Sequence, residues 1–124
     1  TCWDNWIGPD EKKICLEQLA PRMFLAARGE RTDEAVDPHS FRPFNLGTRC
    51  ADGEAFTNLQ RHINEAAAAG GWLILTLHGV GADAHSLHMD PAQHAQLIEW
   101  LARERARIWT APLRTVTKHL LQFT

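Results

Sequence analysis

One histidine in this chain sits where a proton-transfer group is expected. Residues 70–80 read Gly-Gly-Trp-Leu-Ile-Leu-Thr-Leu-His-Gly-Val, an apolar, partly β-branched run that closes on His78 and a glycine. Such a run reads as a parallel strand buried on both faces, whose residues need not alternate. His78 then falls at the carboxyl end of that strand, where α/β sheets hold their ligands. Its imidazole can exchange a proton near neutral pH, as a general acid or base. The competing reading is a structural histidine bonded to a loop carbonyl.

Other residues around it admit two readings each. Gly79, Gly81 and Ala84 have the spacing G-x-G-x-x-A of a dinucleotide fingerprint, which needs a helix to begin within the glycines. The next helix signal is at Pro91, so a plain glycine turn beside His78 is the better reading. His85 and His88 could share a metal if their loop formed a helical turn, with Asp83 or Asp90 completing the set. Otherwise they are solvated loop residues. Arg28 has a planar fork suited to a carboxylate or oxyanion, and could point into the mouth that holds His78. Its alternative is an ion pair with Glu30, Asp33 or Glu34. Trp109 either flanks the pocket or packs. There is no G-x-S-x-G elbow, P-loop or paired-cysteine zinc site. The sequence offers one proton-transfer group and no evident nucleophile.

The elements that must position these residues follow from pattern. Pro9 to about Ala20 suits a helix, with proline and acids in its first turn. Met23 to Ala27 reads as a short strand ending in Arg28, and residues 30–53 as a long ordered loop. Residues 54–69 carry Phe56, Leu59, Ile63, Ala66 and Ala67 on one helical face, with Gly70 as the stop. The His78 strand comes next, then a loop from Gly79 to Met89. Asp90 caps a helix that Pro91 opens, and Gln93 reaches back to the cap. Leu97, Ile98 and Leu101 form its buried stripe. Arg107 to Thr110 reads as a third strand, and Pro112 opens a last helix carrying Leu113, Val116 and Leu120. Strands alternating with helices predict a parallel sheet of three strands with exposed edges.

At 124 residues the chain is one domain. A net charge of −2 gives no basic excess for a phosphate backbone, which argues against nucleic acid. No apolar run approaches the roughly 18 residues of a membrane helix. Cys2, Cys15 and Cys50 lack metal-type spacing and are compatible with one bridge plus a free thiol. Trp3, Trp6, Trp72, Trp100 and Trp109 suit either a sugar-binding groove or packing. A chain that opens on Thr1 is expected to be a processed or cleaved product.

Phe24-Leu25-Ala26-Ala27-Arg28-Gly29, a long loop, a helix ending in alanines, and Gly71-Trp72-Leu73-Ile74-Leu75-Thr76-Leu77-His78 together resemble the carboxyl half of polysaccharide deacetylases. These are carbohydrate esterases acting on chitin, chitooligosaccharides and peptidoglycan. Ile108-Trp109-Thr110 and the helix after it match how that fold closes. The resemblance implies an α/β fold whose parallel β/α units form the second half of an irregular (β/α)7 deacetylase-type barrel. It implies hydrolysis of an acetamide on an N-acetylated carbohydrate, with His78 as the general acid that protonates the departing amine. Arg28, Thr76 and Trp109 would shape the substrate site, Thr76 standing where the family often has a leucine. Family members use a divalent metal, zinc foremost, held by one aspartate and two histidines, with a second aspartate as base. The paired-aspartate and histidine metal motifs of the family's amino half do not appear in this sequence, so no metal ligand is assigned within it.

The expectation is therefore a fragment of a metal-dependent N-deacetylase or related amidase, inactive alone. A missing amino-terminal half, or a second copy, would complete its sheet. Two other readings stand beside it. One is a non-catalytic glycan-binding or assembly module that pairs its sheet edge with another chain. The other is a small metal-binding domain built on His85 and His88.

Overall fold

Three parallel strands in the order β3-β4-β5 form the central sheet: β3 (Arg28–Arg31), β4 (Leu46–Cys50) and β5 (Leu75–Thr76). The protein is seen here as a computed structural model describing residues 5–7 and 13–123. Ahead of the sheet, β1 (Asn5–Ile7) pairs antiparallel with β2 (Lys13–Cys15). The helices are α1 (Leu16–Leu19), α2 (Phe56–Ala68), α3 (Pro91–Arg103) and α4 (Leu113–Leu121). The chain is thus a mixed α/β protein, with α2 crossing between the parallel neighbours β4 and β5.

Several elements differ from the pattern reading. The helix expected from Pro9 falls partly on residues 8–12, outside the described residues, and its remainder is a strand followed by the single turn α1. Met23 to Ala27 is not a strand. Met23 and Phe24 donate their N–H groups to the Ala20 carbonyl, closing a turn, and Arg28 begins β3 rather than ending it. The long loop contains β4. Gly47 and Arg49 interrupt its apolar character, yet Leu46 and Thr48 are buried, because the strand lies in the middle of the sheet. Arg107 to Thr110 is not a strand either. The Arg107 and Ile108 N–H groups both return to the Glu104 carbonyl at 2.8 Å, so the segment starts as a turn closing α3. The expectation of three parallel strands holds in number, but only β5 is one of those foreseen. It is a half-buried edge strand of two residues rather than a strand buried on both faces, because β4 takes the central place.

The core lies between the sheet and α2 and α3. Ala51, Leu59, Ile63, Met89, Leu97 and Trp100 form its buried cluster, with Leu75 of β5 and Leu73 just before it packed against it. Phe56 meets Trp100 edge-on at 6.0 Å. The end of α2 follows the sequence signal closely. Gly70 takes φ +67, and the Gly70 and Gly71 N–H groups bond Ala67 O and Ala66 O, the paired closure that a left-handed glycine allows.

At α3 the cap is as foreseen: the Asp90 carboxylate accepts from the Ala92 and Gln93 N–H groups at 3.0 and 3.1 Å, with Pro91 in the first turn. Gln93 does not reach back, however. Its Oε1 accepts the Phe56 N–H at 2.7 Å, serving an α2 start that has no side-chain cap of its own. Replacing Asp90 with alanine is expected to cost about 1 kcal/mol, read as a lower urea midpoint with an unchanged slope. Cys15 is in a disulfide and Cys50 is a free thiol.

Candidate functional site

The register of β4 and β5 brings the site together. Cys50 lies opposite Thr76, so Asp52 and His78, each two residues further on, leave the same edge of the sheet side by side. Parallel pairing keeps such offsets equal on both strands. After β4 the chain turns at once: Gly53 has φ +70, and the Glu54 N–H returns to Ala51 O at 3.2 Å. Glycine suits the third position of a turn of this kind, and the turn places Asp52 at the corner.

Asp52 then grips His78 twice. The His78 backbone N–H donates to Asp52 Oδ1 at 3.0 Å, and His78 Nδ1 lies 2.6 Å from Asp52 Oδ2. The Cys50 thiol, on the same face two residues earlier, donates to the same Oδ2 at 3.2 Å. An ionised carboxylate only accepts, so Nδ1 carries the ring proton and Nε2 is the open nitrogen. The carboxylate is nearly enclosed, with its side chain 8% exposed, while the imidazole is 49% exposed. The His78 N–H holds the Asp52 carboxyl down at about 2, and the ring and the Cys50 thiol add to this against the opposing effect of burial. Asp52 therefore stays ionised at neutral pH. It can orient the imidazole and offset a positive charge on it.

The geometry of this pair suits acid–base chemistry better than a thiol nucleophile. A cysteine nucleophile needs its thiol on the imidazole; Cys50 instead bonds the far partner, Asp52.

Loop residues 79–89 fold back beside the dyad. Val80 bridges Met89, and the Gly53 N–H bonds His88 O at 2.9 Å. No helix begins within Gly79, Gly81 and Ala84, so the nucleotide spacing there is a turn. The His85 ring stacks on His78, with centroids 5.2 Å apart and planes at 21°. His88 Nδ1 faces the His85 and Ser86 carbonyls at 2.9 and 3.2 Å. Among the described residues no group of three or more His, Cys, Asp or Glu is arranged to hold a metal ion.

The other foreseen residues lie elsewhere. Thr76 is near the dyad, but its hydroxyl bonds Arg49 O at 3.3 Å. Arg28 pairs with Leu46 at the amino end of the sheet, about 20 Å from Asp52 at ~3.3 Å per residue. Of the acids weighed as its partners, Asp33 binds Arg31 at 2.9 Å. Trp109 follows the carboxyl end of α3, whereas the amino end adjoins the His78 loop. It borders a cavity of about 300 Å³ with Ile98, Leu101 and Ile108, and its ring meets His119 edge-on. Asp52 is the residue that sequence reasoning missed. Its one local signal is Asp-Gly, a turn dipeptide, and that is read properly only once β4 is recognised before it.

No helix among the described residues is long and apolar enough to cross a membrane. Compared with known proteins, the chain matches no family model, no curated protein and no solved structure.

Proposed function

We propose that this chain is the proton-donating part of an N-deacetylase or related amidase, acting on an acetamido sugar. The observation that carries the reading is the His78–Asp52 dyad: a nearly enclosed, ionised carboxylate holding Nδ1 of a half-exposed imidazole at the carboxyl end of a parallel sheet. Amide hydrolysis needs such a group, because an amine leaves readily only when its nitrogen is protonated as the C–N bond breaks. Protonated Nε2 would give that proton up. Asp52 would stabilise the imidazolium beforehand and keep the ring aimed. The sequence resemblance supplies the substrate class, and with it the carboxyl-half-barrel reading of the fold.

Enzymes of the resembled family use a divalent metal, zinc foremost, which polarises the amide and activates water when bound. The described residues do not form a set that fits one. In this reading the ligands belong to another segment or another copy. The complete protein, supplied with zinc, is expected to release acetate from N-acetylated chitooligosaccharides or peptidoglycan fragments, and to stop with a chelator. No acetate from either substrate at any metal loading would defeat the proposal.

A second reading, an assembly module without catalysis, is favoured by a different observation. Met23 and Phe24 are 62% and 58% exposed in succession, and β3 and β5 leave the sheet with two edges. Contiguous exposed apolar side chains and open edges are features that association covers. Sedimentation velocity separates the two readings: mass rising with concentration, without acetate release, would put assembly first.

A further inference from the structure

Building on the proton-donor reading, we propose that His85 is a positioning residue for His78: its stacked ring keeps Nδ1 on Asp52 and leaves Nε2 as the only nitrogen open to a substrate. Three observations converge on this. The rings are near-parallel at 5.2 Å, so one face of the His78 imidazole is covered. The loop carrying His85 is tied down at both ends: Met89 N–H to Gly79 O and Gly81 N–H to Met89 O, each at 2.9 Å. Met89 itself is wholly buried in the core. A further bond, Gly53 N–H to His88 O, fastens the same loop to the turn that carries Asp52. The loop is therefore bonded to both segments that carry the dyad, the residues after β5 and the turn after β4.

The third observation is the glycine after His78. A Cβ at Gly79 would stand 2.9 Å from Ala84 Cβ and 3.2 Å from His85 Cβ, closer than packed carbons sit. Only glycine lets the 84–85 segment approach near enough to stack. The His85 ring is held in its own turn by Leu87, whose N–H and carbonyl oxygen lie 2.9 and 3.0 Å from its Nδ1. Those contacts fix where the ring lies before anything binds. A half-exposed imidazole without such a cover could swing its ring and exchange which nitrogen meets Asp52. With the cover, that motion is blocked on one side by His85 and on the edge by the carboxylate.

The test reads which ring nitrogen of neutral His78 carries the proton, from long-range proton–nitrogen correlation spectra of the whole chain. The wild type is expected to show Nδ1–H predominantly. In His85→Ala the ratio of Nδ1–H to Nε2–H should fall roughly fivefold, the loss expected of one ordinary contact. Gly79→Ala should move it the same way by displacing the stack. His85→Phe keeps a flat ring without nitrogen and should retain the wild-type ratio, which also guards against a general folding defect. An unchanged ratio in His85→Ala, or a His85→Phe variant that behaves like His85→Ala, would overturn the proposal. No turnover is involved, so a failed acetate assay counts against the deacetylase reading alone, and a failed tautomer result against the positioning role alone.

Discussion

His78→Ala, made in the complete protein, is expected to lower kcat by about 10²–10⁴-fold, the usual contribution of a positioned general acid. KM should change little, because in the proposed role the imidazole would act on a nitrogen that becomes basic only as the bond breaks. The pH profile should lose the limb that reports the protonated donor. Bound metal, measured by elemental analysis, should stay at the wild-type level. Loss of metal together with activity would make His78 a ligand and remove the acid assignment. Substrates with a good leaving group offer an internal check: an activated anilide needs less protonation, so the variant should be less impaired on it.

The second large effect is expected from Asp52→Asn. An amide of the same shape can still accept from the His78 N–H, but it brings no charge and can present a donor to Nδ1. The ring would then carry its proton on the wrong nitrogen, and kcat should fall by roughly 10–10³-fold with His78 still in place. A distinct signature comes from stability. Asp52 is held at about 2 in the folded protein against an ordinary 3.8. A carboxyl depressed by folding contributes stability above its unfolded value, and that contribution is lost as pH falls through the folded one. Wild type should therefore exceed Asp52→Asn by on the order of 1–2 kcal/mol above pH ~5, with allowance for the solvent-exposed ring. The gap should shrink from about pH 4 and close near pH 2. Urea titrations at pH 6, 4 and 2.5 would show it. A gap constant across that range would mean that the asparagine disturbs packing rather than charge.

Parts of this site were legible from the residues. The apolar run into His78 predicted a strand end, and β5 delivers one, although only Leu75–Thr76 pair as a strand. The cap at Asp90 and the stop at Gly70 were legible because both are local: a carboxylate two or three residues from the N–H groups it binds, and a glycine free to take positive φ. Asp52 was not legible, since its partner lies 26 residues away. Arg28 was placed near His78 by an assumed strand direction, and a shift of the strand start carried it to the other end of the sheet. A run with Gly47 and Arg49 inside it has neither helical nor strand periodicity, so β4 could be found only through the neighbours that bury it.

The sequence by itself determined what depends on neighbours within a few residues: the Asp90 cap and Gly70 stop, the buried face of α2, and a titratable ring just past a short strand. On α3 only Leu97 of the foreseen Leu97, Ile98 and Leu101 stripe is fully buried; Ile98 is exposed and Trp100 takes the other buried place. Tertiary structure alone decided which strand stands beside β5, and hence that a carboxylate and not a carbonyl meets Nδ1. It also decided that a loop histidine covers the ring. Those choices depend on register across the sheet and on closure of the 79–89 loop, and each is set by packing between segments that no local pattern records.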